Sequence, residues 1–193
     1  MYKDKTAVSV LIVSSSDKVD EYLRTVLSSQ QFTITSVSSA GEARRMQIDD
    51  PCDIVLINTP LRDEFGTELA VEFAESDCGV MIFVKNEVYD QVCYKVEEYG
   101  VLTYAKPGNK TSIYQSVKLL VAASCRMKLL QKKAMSLEAK MKEIRLINRA
   151  KWVLIDRFKM SESEAHKYIE KSAMDHCVKR SEIAENIIRT YDV

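Results

Sequence analysis

Asp53-Ile54-Val55-Leu56-Ile57-Asn58 is the stretch on which the reading of the fold turns. Ile54–Ile57 is an unbroken apolar run, mostly β-branched, and too short for a helix. With no polar residue alternating into it, it predicts a strand buried on both faces. Outward from it the same signal recurs. Val8–Val13, Phe32–Val37, Val80–Val84 and Val101–Ala105 predict four more strands. Between them lie helical patterns. Asp17–Ser29 carries a stripe of Val19, Tyr22, Leu23, Val26 and Leu27. Ala40–Ile48 is closed by Pro51, and Glu68–Glu75 and Tyr89–Tyr99 complete the set. Five strands alternating with helices predict an α/β doubly wound five-stranded parallel sheet, covered on both faces. Such sheets carry their chemistry at the carboxyl ends of the strands.

Composition narrows the class. The chain has 193 residues, 46% hydrophobic and 29% charged, enough for one ordinary domain and a small second one. No apolar run approaches the roughly 18 residues needed to span a bilayer, and no signal peptide is read at Met1-Tyr2-Lys3-Asp4-Lys5. Cys52, Cys78, Cys93, Cys125 and Cys177 are scattered, without a CxxC pair. They are expected to be free thiols of a cytoplasmic protein rather than a disulfide framework or a metal site. His166 and His176 are too few for a metal cluster. No cofactor is expected. The absence of a Ser/His/Asp set, a Gly-rich phosphate loop or a carboxylate pair argues against an enzyme.

The zero net charge hides an asymmetry. Residues 1–112 hold 11 basic and 18 acidic residues, 113–151 hold 10 and 2, and 152–193 hold 7 and 8. A basic middle on a neutral chain suits either a polyanion contact or a solvated helix.

At the strand ends the residues resemble the response-regulator receiver family, which is CheY-like and flavodoxin-like in fold. Lys106-Pro107 corresponds to that family's Lys-Pro pair, and Asn58-Thr59-Pro60-Leu61-Arg62-Asp63-Glu64-Phe65-Gly66 to its loop after strand three. The resemblance covers about residues 7–122 of a domain read as 1–122. It places Ser14 and Ser15 where the family has its Mg²⁺-holding acidic pair. Asn58 stands where the phospho-accepting Asp belongs, and Val84 where a Ser or Thr belongs. A hard divalent cation takes carboxylate oxygens, and a carboxamide is no carboxylate nucleophile. The expectation is a pseudo-receiver with a degenerate phosphorylation site of Ser14, Ser15, Asn58, Val84 and Lys106, taking its input from a sensor protein or ligand. Lys106 is expected to make a structural contact. Asp17, in the first turn of its helix, and Asp53, opening its strand, are read as structural rather than cation-binding.

From Ser112 to about Phe158 there is neither Gly nor Pro. Met127, Leu130, Ala134, Leu137, Met141 and Ile144 recur at spacings of three and four, the a and d positions of a coiled coil. Leu120 and Ala123 extend the register backward and Asn148 forward. Residues 113–148 thus read as a helical coiled-coil linker and the chain as a homodimer; the alternative is one amphipathic helix packed on its own α/β domain.

Residues 145–193 read as an all-α three-helix domain. Its first helix ends near Phe158. Ser161-Glu162-Ser163-Glu164 has capping-box spacing, and Ala165, Tyr168, Ile169, Ala173 and Met174 form the second helix's apolar face. Lys179-Arg180-Ser181 is read as a turn with Ser181 as N-cap. Ile183, Ala184, Ile187 and Ile188 line the third helix. Arg149-Ala150-Lys151, Leu154, Ser161-Glu162-Ser163-Glu164-Ala165, Tyr168-Ile169, Ser172-Ala173-Met174 and Ile183-Ala184-Glu185-Asn186-Ile187-Ile188 resemble the ANTAR family of RNA-binding antiterminators, at the family's spacing. Trp152 departs from the pattern, standing where a Gly is usual, as a core filler or a stacking face. The resemblance implies that the domain binds paired hairpin loops in nascent mRNA leaders and prevents an overlapping terminator from forming. Candidate contacts are Arg149, Lys151, Tyr168, Lys171, Lys179 and Arg180. Tyr168 reads equally as a partly buried core ring, and Lys179 and Arg180 also read as solvated turn residues, with His176 nearby. The rival readings are a DNA-binding response regulator and a protein-interaction dimer. The last helix, with Glu182 and Glu185 beside Asn186 and Arg189, is acidic for a major-groove reader.

Overall fold

Side chains of successive strand residues point to opposite faces of a sheet, so a strand with apolar residues at every position needs a partner layer on each side. The computed structural model, which describes residues 7–76 and 78–191, supplies both layers. β1 (Val8–Ser14), β2 (Phe32–Val37), β3 (Ile54–Asn58), β4 (Gly79–Lys85) and β5 (Leu102–Lys106) form one parallel sheet in the order β2-β1-β3-β4-β5. Register pairs Ser14 with Asn58, Asn58 with Phe83, and Lys85 with Lys106. On one face Leu11, Val13, Val55, Ile57, Ile82 and Val84 meet Ala40 and Ala43 of α2 (Ala40–Asp49), Leu69 and Phe73 of α3 (Thr67–Glu75), and Val92 and Val96 of α4 (Tyr89–Val96). On the other, Val10, Ile12, Leu56, Met81 and Phe83 meet Leu23, Val26 and Leu27 of and after α1 (Asp17–Val26), and Ile113, Val117 and Leu120 of α5 (Lys110–Phe158).

Local signals close the elements. The Asp63 carboxylate accepts from the Ala40 and Gly41 amides at 2.9 Å each, at the start of α2. Gly66 enters α3 at φ 105°, and a Cβ there would meet Ile57 Cγ2 at 3.0 Å, so this turn takes glycine. α4 tightens into a 3₁₀ turn over Glu97–Tyr99 before Gly100.

The chain divides into two compact units between Leu129 and Leu130, within α5. In the second, the last turns of α5 pack with α6 (Glu162–Asp175) and α7 (Arg180–Tyr191). Ala150, Val153, Leu154, Ala165, Ile169, Ala184 and Ile187 form its core. The capping box at the head of α6 is present: the Glu164 amide donates to Ser161 Oγ at 3.3 Å, and the Ser161 amide to Glu164 Oε2 at 2.8 Å.

Four expectations need correction. Leu120 belongs to the α/β core, so the heptad register does not extend back through it. Tyr168 and Met174 are exposed, at 47% and 77%, leaving Ala165, Ile169 and Ala173 as the buried face of α6. α7 begins at Arg180, with the Lys179 carbonyl accepting from the Glu182 and Ile183 amides, so Ser181 lies inside the helix and does not cap it. α1 stops at Val26, short of Ser29.

Candidate nucleic-acid interface

The carboxyl end of the sheet brings three of the five residues of the expected degenerate phosphorylation site into one chain of hydrogen bonds. Asn58 Nδ2 donates to Ser14 Oγ at 3.0 Å, and Lys106 Nζ donates to Asn58 Oδ1 at 2.9 Å and to the Thr59 carbonyl at 2.6 Å. Ser14, Asn58 and Thr59 are buried. Ser15 lies outside this chain, exposed and donating to the Pro60 carbonyl at 3.0 Å. Val84 points into the apolar core against the helices. Burial, and then the neighbouring Lys85, hold the Lys106 ammonium below the ordinary lysine range. The two oxygens that accept from it, Asn58 Oδ1 and the Thr59 carbonyl, are both neutral. Of the loop's two carboxylates, Asp63 is turned to the α2 amides, which hold it below the usual carboxylate range, and Glu64 pairs with Arg44 at 2.8 Å. Among the described residues no group of three or more His, Cys, Asp or Glu side chains is placed to hold a metal ion. Asp17 sits in the first turn of α1, and Asp53 pairs with Lys128 and with Ser9.

The helical unit presents a different kind of surface. While Ala150, Val153 and Leu154 go to the core, Arg149, Trp152, Asp156 and Arg157 occupy the other side of α5 and line one depression with Tyr191 of α7. A second depression is lined by Phe158, the last residue of α5, by Lys159 and Met160 after it, and by Glu164, Lys167, Tyr168 and Lys171 of α6. The two are joined by Phe158 and Tyr191, whose rings meet edge-on, centroids 5.0 Å apart at 89°. Such a contact is favoured by the ring quadrupoles. Trp152 is 70% exposed, so its indole does not fill core space. The face therefore combines four accessible aromatic rings with five cationic side chains. One of these, Lys159, lies 3.9 Å from Asp156, and its backbone takes φ 57°.

Of the six expected RNA contacts, Arg149, Tyr168 and Lys171 lie on this face. Lys151 does not: its side chain is only 16% exposed and its ammonium pairs with Glu162 at 3.0 Å. Lys179 and Arg180 lie in a separate depression with Glu143, Glu170 and Met174, and Arg180 pairs with Glu170 at 3.3 Å. Glu170 also meets His166 Nε2 at 3.3 Å, and His176 Nδ1 sits 2.9 Å from the Ser172 carbonyl. Sequence reasoning missed Arg157, Phe158, Lys159, Lys167 and Tyr191. Tyr191 falls three and four residues after Ile188 and Ile187, so periodicity alone reads it as more core.

Along α5, Met127, Leu130, Leu137, Met141 and Ile144 are 49–63% exposed, and Ala134 is exposed too. Leu129 and Met135 are likewise uncovered.

Residues 135–188 match the family model described as the ANTAR domain. The C-terminal unit is an ANTAR domain. The chain is also 22% identical over 139 residues, 72% of its own length and 68% of the relative's, to the transcriptional regulatory protein PdtaR of two Mycobacterium tuberculosis strains, CDC 1551 / Oshkosh and H37Rv. The N-terminal unit has the fold of solved receiver domains. One is the signal receiver domain of an HD domain-containing protein from Pseudomonas fluorescens Pf-5, at TM-score 0.60 and 14% identity, covering 66% of this chain and 96% of that one. Another is a CheY-like response regulator receiver domain protein from Methanospirillum hungatei JF-1, at TM-score 0.55 and 16% identity, covering 63% and 99%. The architecture is a receiver fold followed by an ANTAR domain. Among the described residues no helix is long and apolar enough to cross a membrane.

Proposed function

We propose that this protein is an RNA-binding transcription antitermination regulator of the cytoplasm, whose ANTAR domain grips paired hairpin loops in nascent mRNA and prevents a terminator from forming. The observation that carries the reading is the face joining Trp152, Tyr191, Phe158 and Tyr168 to Arg149, Arg157, Lys159, Lys167 and Lys171. Loop bases are unstacked and offer π-faces to aromatic rings, while the phosphates between them attract Lys and Arg. The acidic exposed positions of α7, Glu182 and Glu185, favour RNA loops over a DNA major groove.

The receiver unit acts without phosphorylation, its input coming from a sensor protein or ligand. What supports this is the closed chain Ser14–Asn58–Lys106, in which an amide and two neutral oxygens occupy the place of an anion and its cation. The uncovered stripe Met127, Leu130, Ala134, Leu137, Met141 and Ile144 supports a parallel homodimer through residues 113–148, between a receiver domain of residues 1–122 and an RNA-binding domain of residues 145–193. Two RNA-binding domains on one dimer raise the effective affinity for two hairpins without new contacts.

Filter binding with a two-hairpin RNA, a duplex DNA of equal length and a salt titration tests the reading. RNA-selective retention that weakens steeply with salt is expected; equal retention of duplex DNA, or none of either at low ionic strength, overturns it. Incubation with a small-molecule phosphodonor and Mg²⁺ is expected to leave no labile phosphate on the protein.

A further inference from the structure

Cys52 and Cys78 stand just ahead of β3 and β4, neighbouring strands whose register pairs Ile54 with Gly79. Their Sγ atoms are 3.5 Å apart. Cys78 is buried and Cys52 half-buried, so Cys52 is the more accessible residue of the two. The contact between the two sulfurs, in which either can donate, holds the Cys52 thiol below its ordinary range. The same contact, and then burial, push Cys78 up. Against this, the Lys128 ammonium, paired with Asp53 next to Cys52, pulls Cys78 toward the thiolate. The other cysteines have different surroundings: Cys93 turns to Glu97 and Cys177 to the Met174 carbonyl, each at 3.7 Å. Neither Cys52 nor Cys78 belongs to the RNA-binding face.

We propose that Cys52 and Cys78 form an oxidation site for a small hydroperoxide, closing reversibly to an intramolecular disulfide. The Cys52 thiolate attacks one oxygen of hydrogen peroxide. The O–O bond breaks, and the hydroxide that leaves takes up a proton as water, with Cys52 now a sulfenic acid. Cys78 Sγ then attacks Cys52 Sγ as the S–O bond breaks, and the Cys78 thiol proton passes to the departing hydroxide, which leaves as a second water. Two thiols give up two electrons and two protons, and one peroxide becomes two waters. The sulfurs must close from 3.5 Å to about 2.05 Å. The register carried one step back from Ile54 and Gly79 sets Cys78 beside Asp53, so Cys52 stands one position off it on the neighbouring segment, with the sulfurs already at 3.5 Å. The step requires Cys52 to release the Gln47 side-chain oxygen, 3.3 Å from its sulfur.

The test uses the full-length reduced protein, treated with stoichiometric hydrogen peroxide, then alkylated in denaturant and digested for mass spectrometry. A Cys52–Cys78 crosslinked peptide is expected, two hydrogens lighter than the reduced pair, with Cys93, Cys125 and Cys177 still alkylated. Dithiothreitol should return all five cysteines to the alkylatable form. In Cys78→Ser, dimedone should trap a sulfenic acid on Cys52. Oxidation of Cys125 or Cys177 while Cys52 and Cys78 stay alkylatable overturns the proposal, as does over-oxidation of Cys52 beside an intact Cys78 thiol. The mapping needs only the wild-type protein, so it stands even where a serine variant fails to fold.

Discussion

Trp152→Ala separates the two tasks that a tryptophan at this position can perform. At 70% exposure the indole contributes little to the core of Ala150, Val153 and Leu154 beside it. Removing a surface side chain typically changes folding stability by no more than about 0.5 kcal/mol, and alanine favours the helix. Stacking one base on an aromatic ring, by contrast, is worth about 1–3 kcal/mol, which converts to a loss of RNA affinity of roughly 5- to 150-fold. The charge of the face is unchanged, so the dependence of affinity on salt should keep its slope. Lys167→Gln with Lys171→Gln should behave in the opposite way. Each lost phosphate contact lowers the slope of log affinity against log salt by about 0.7 for single strands, roughly 1.4 for the pair. The assay is fluorescence anisotropy with a labelled two-hairpin RNA at three salt concentrations, alongside thermal melts of each variant. A Trp152→Ala protein that melts with the wild type and binds RNA within twofold of it would refute the stacking argument.

Leu154→Ala, in the centre of the helical core at 2% exposure, should cost about 2–5 kcal/mol. Faster hydrogen exchange should be confined to residues 130–193, and RNA binding should be lost while the receiver unit stays folded. Leu137→Glu with Met141→Glu should convert a dimer of two 22.0 kDa copies to monomer in sedimentation equilibrium, without lowering the melting temperature of either unit. Asp63 and Glu164 sit below their ordinary values of 3.8 and 4.5 because helix-end amides donate to them. Their contribution to stability is present above those ordinary values and is lost as pH falls through the lower folded ones. The melting temperature should therefore drop on acidification below about pH 4, and Asp63→Asn should flatten that drop while lowering stability at neutral pH.

Much of this was legible in residue order alone. An apolar run such as Ile54–Ile57 has one stable environment, a strand covered on both sides, and five such runs alternating with helical stripes leave a doubly wound sheet as the simple solution. Caps are also local: Ser161 and Glu164 satisfy each other's amides within one turn of backbone, so their spacing is enough to locate them. The expectation that Ser14, Ser15 and Asn58 stand where the receiver family carries acidic residues also needs no coordinates.

What spacing cannot carry is the choice between equivalent apolar positions. Leu120 and Leu130 look alike in a heptad pattern, yet Leu120 is buried against the sheet and Leu130 is exposed, because only the sheet's position says where α5 has a neighbour. Tyr168 and Ile169 are adjacent on α6, and the core reaches only Ile169. Phe158 and Tyr191 are 33 positions apart and meet only when α5 and α7 are packed, and with them Trp152 and Tyr168 become one surface. Cys52 and Cys78 come within reach because β3 and β4 lie side by side. Sequence settled which elements form, since hydrogen bonding and apolar periodicity act over a few residues. Packing alone decided which side chains share a surface, since burial depends on what the rest of the chain brings up against them.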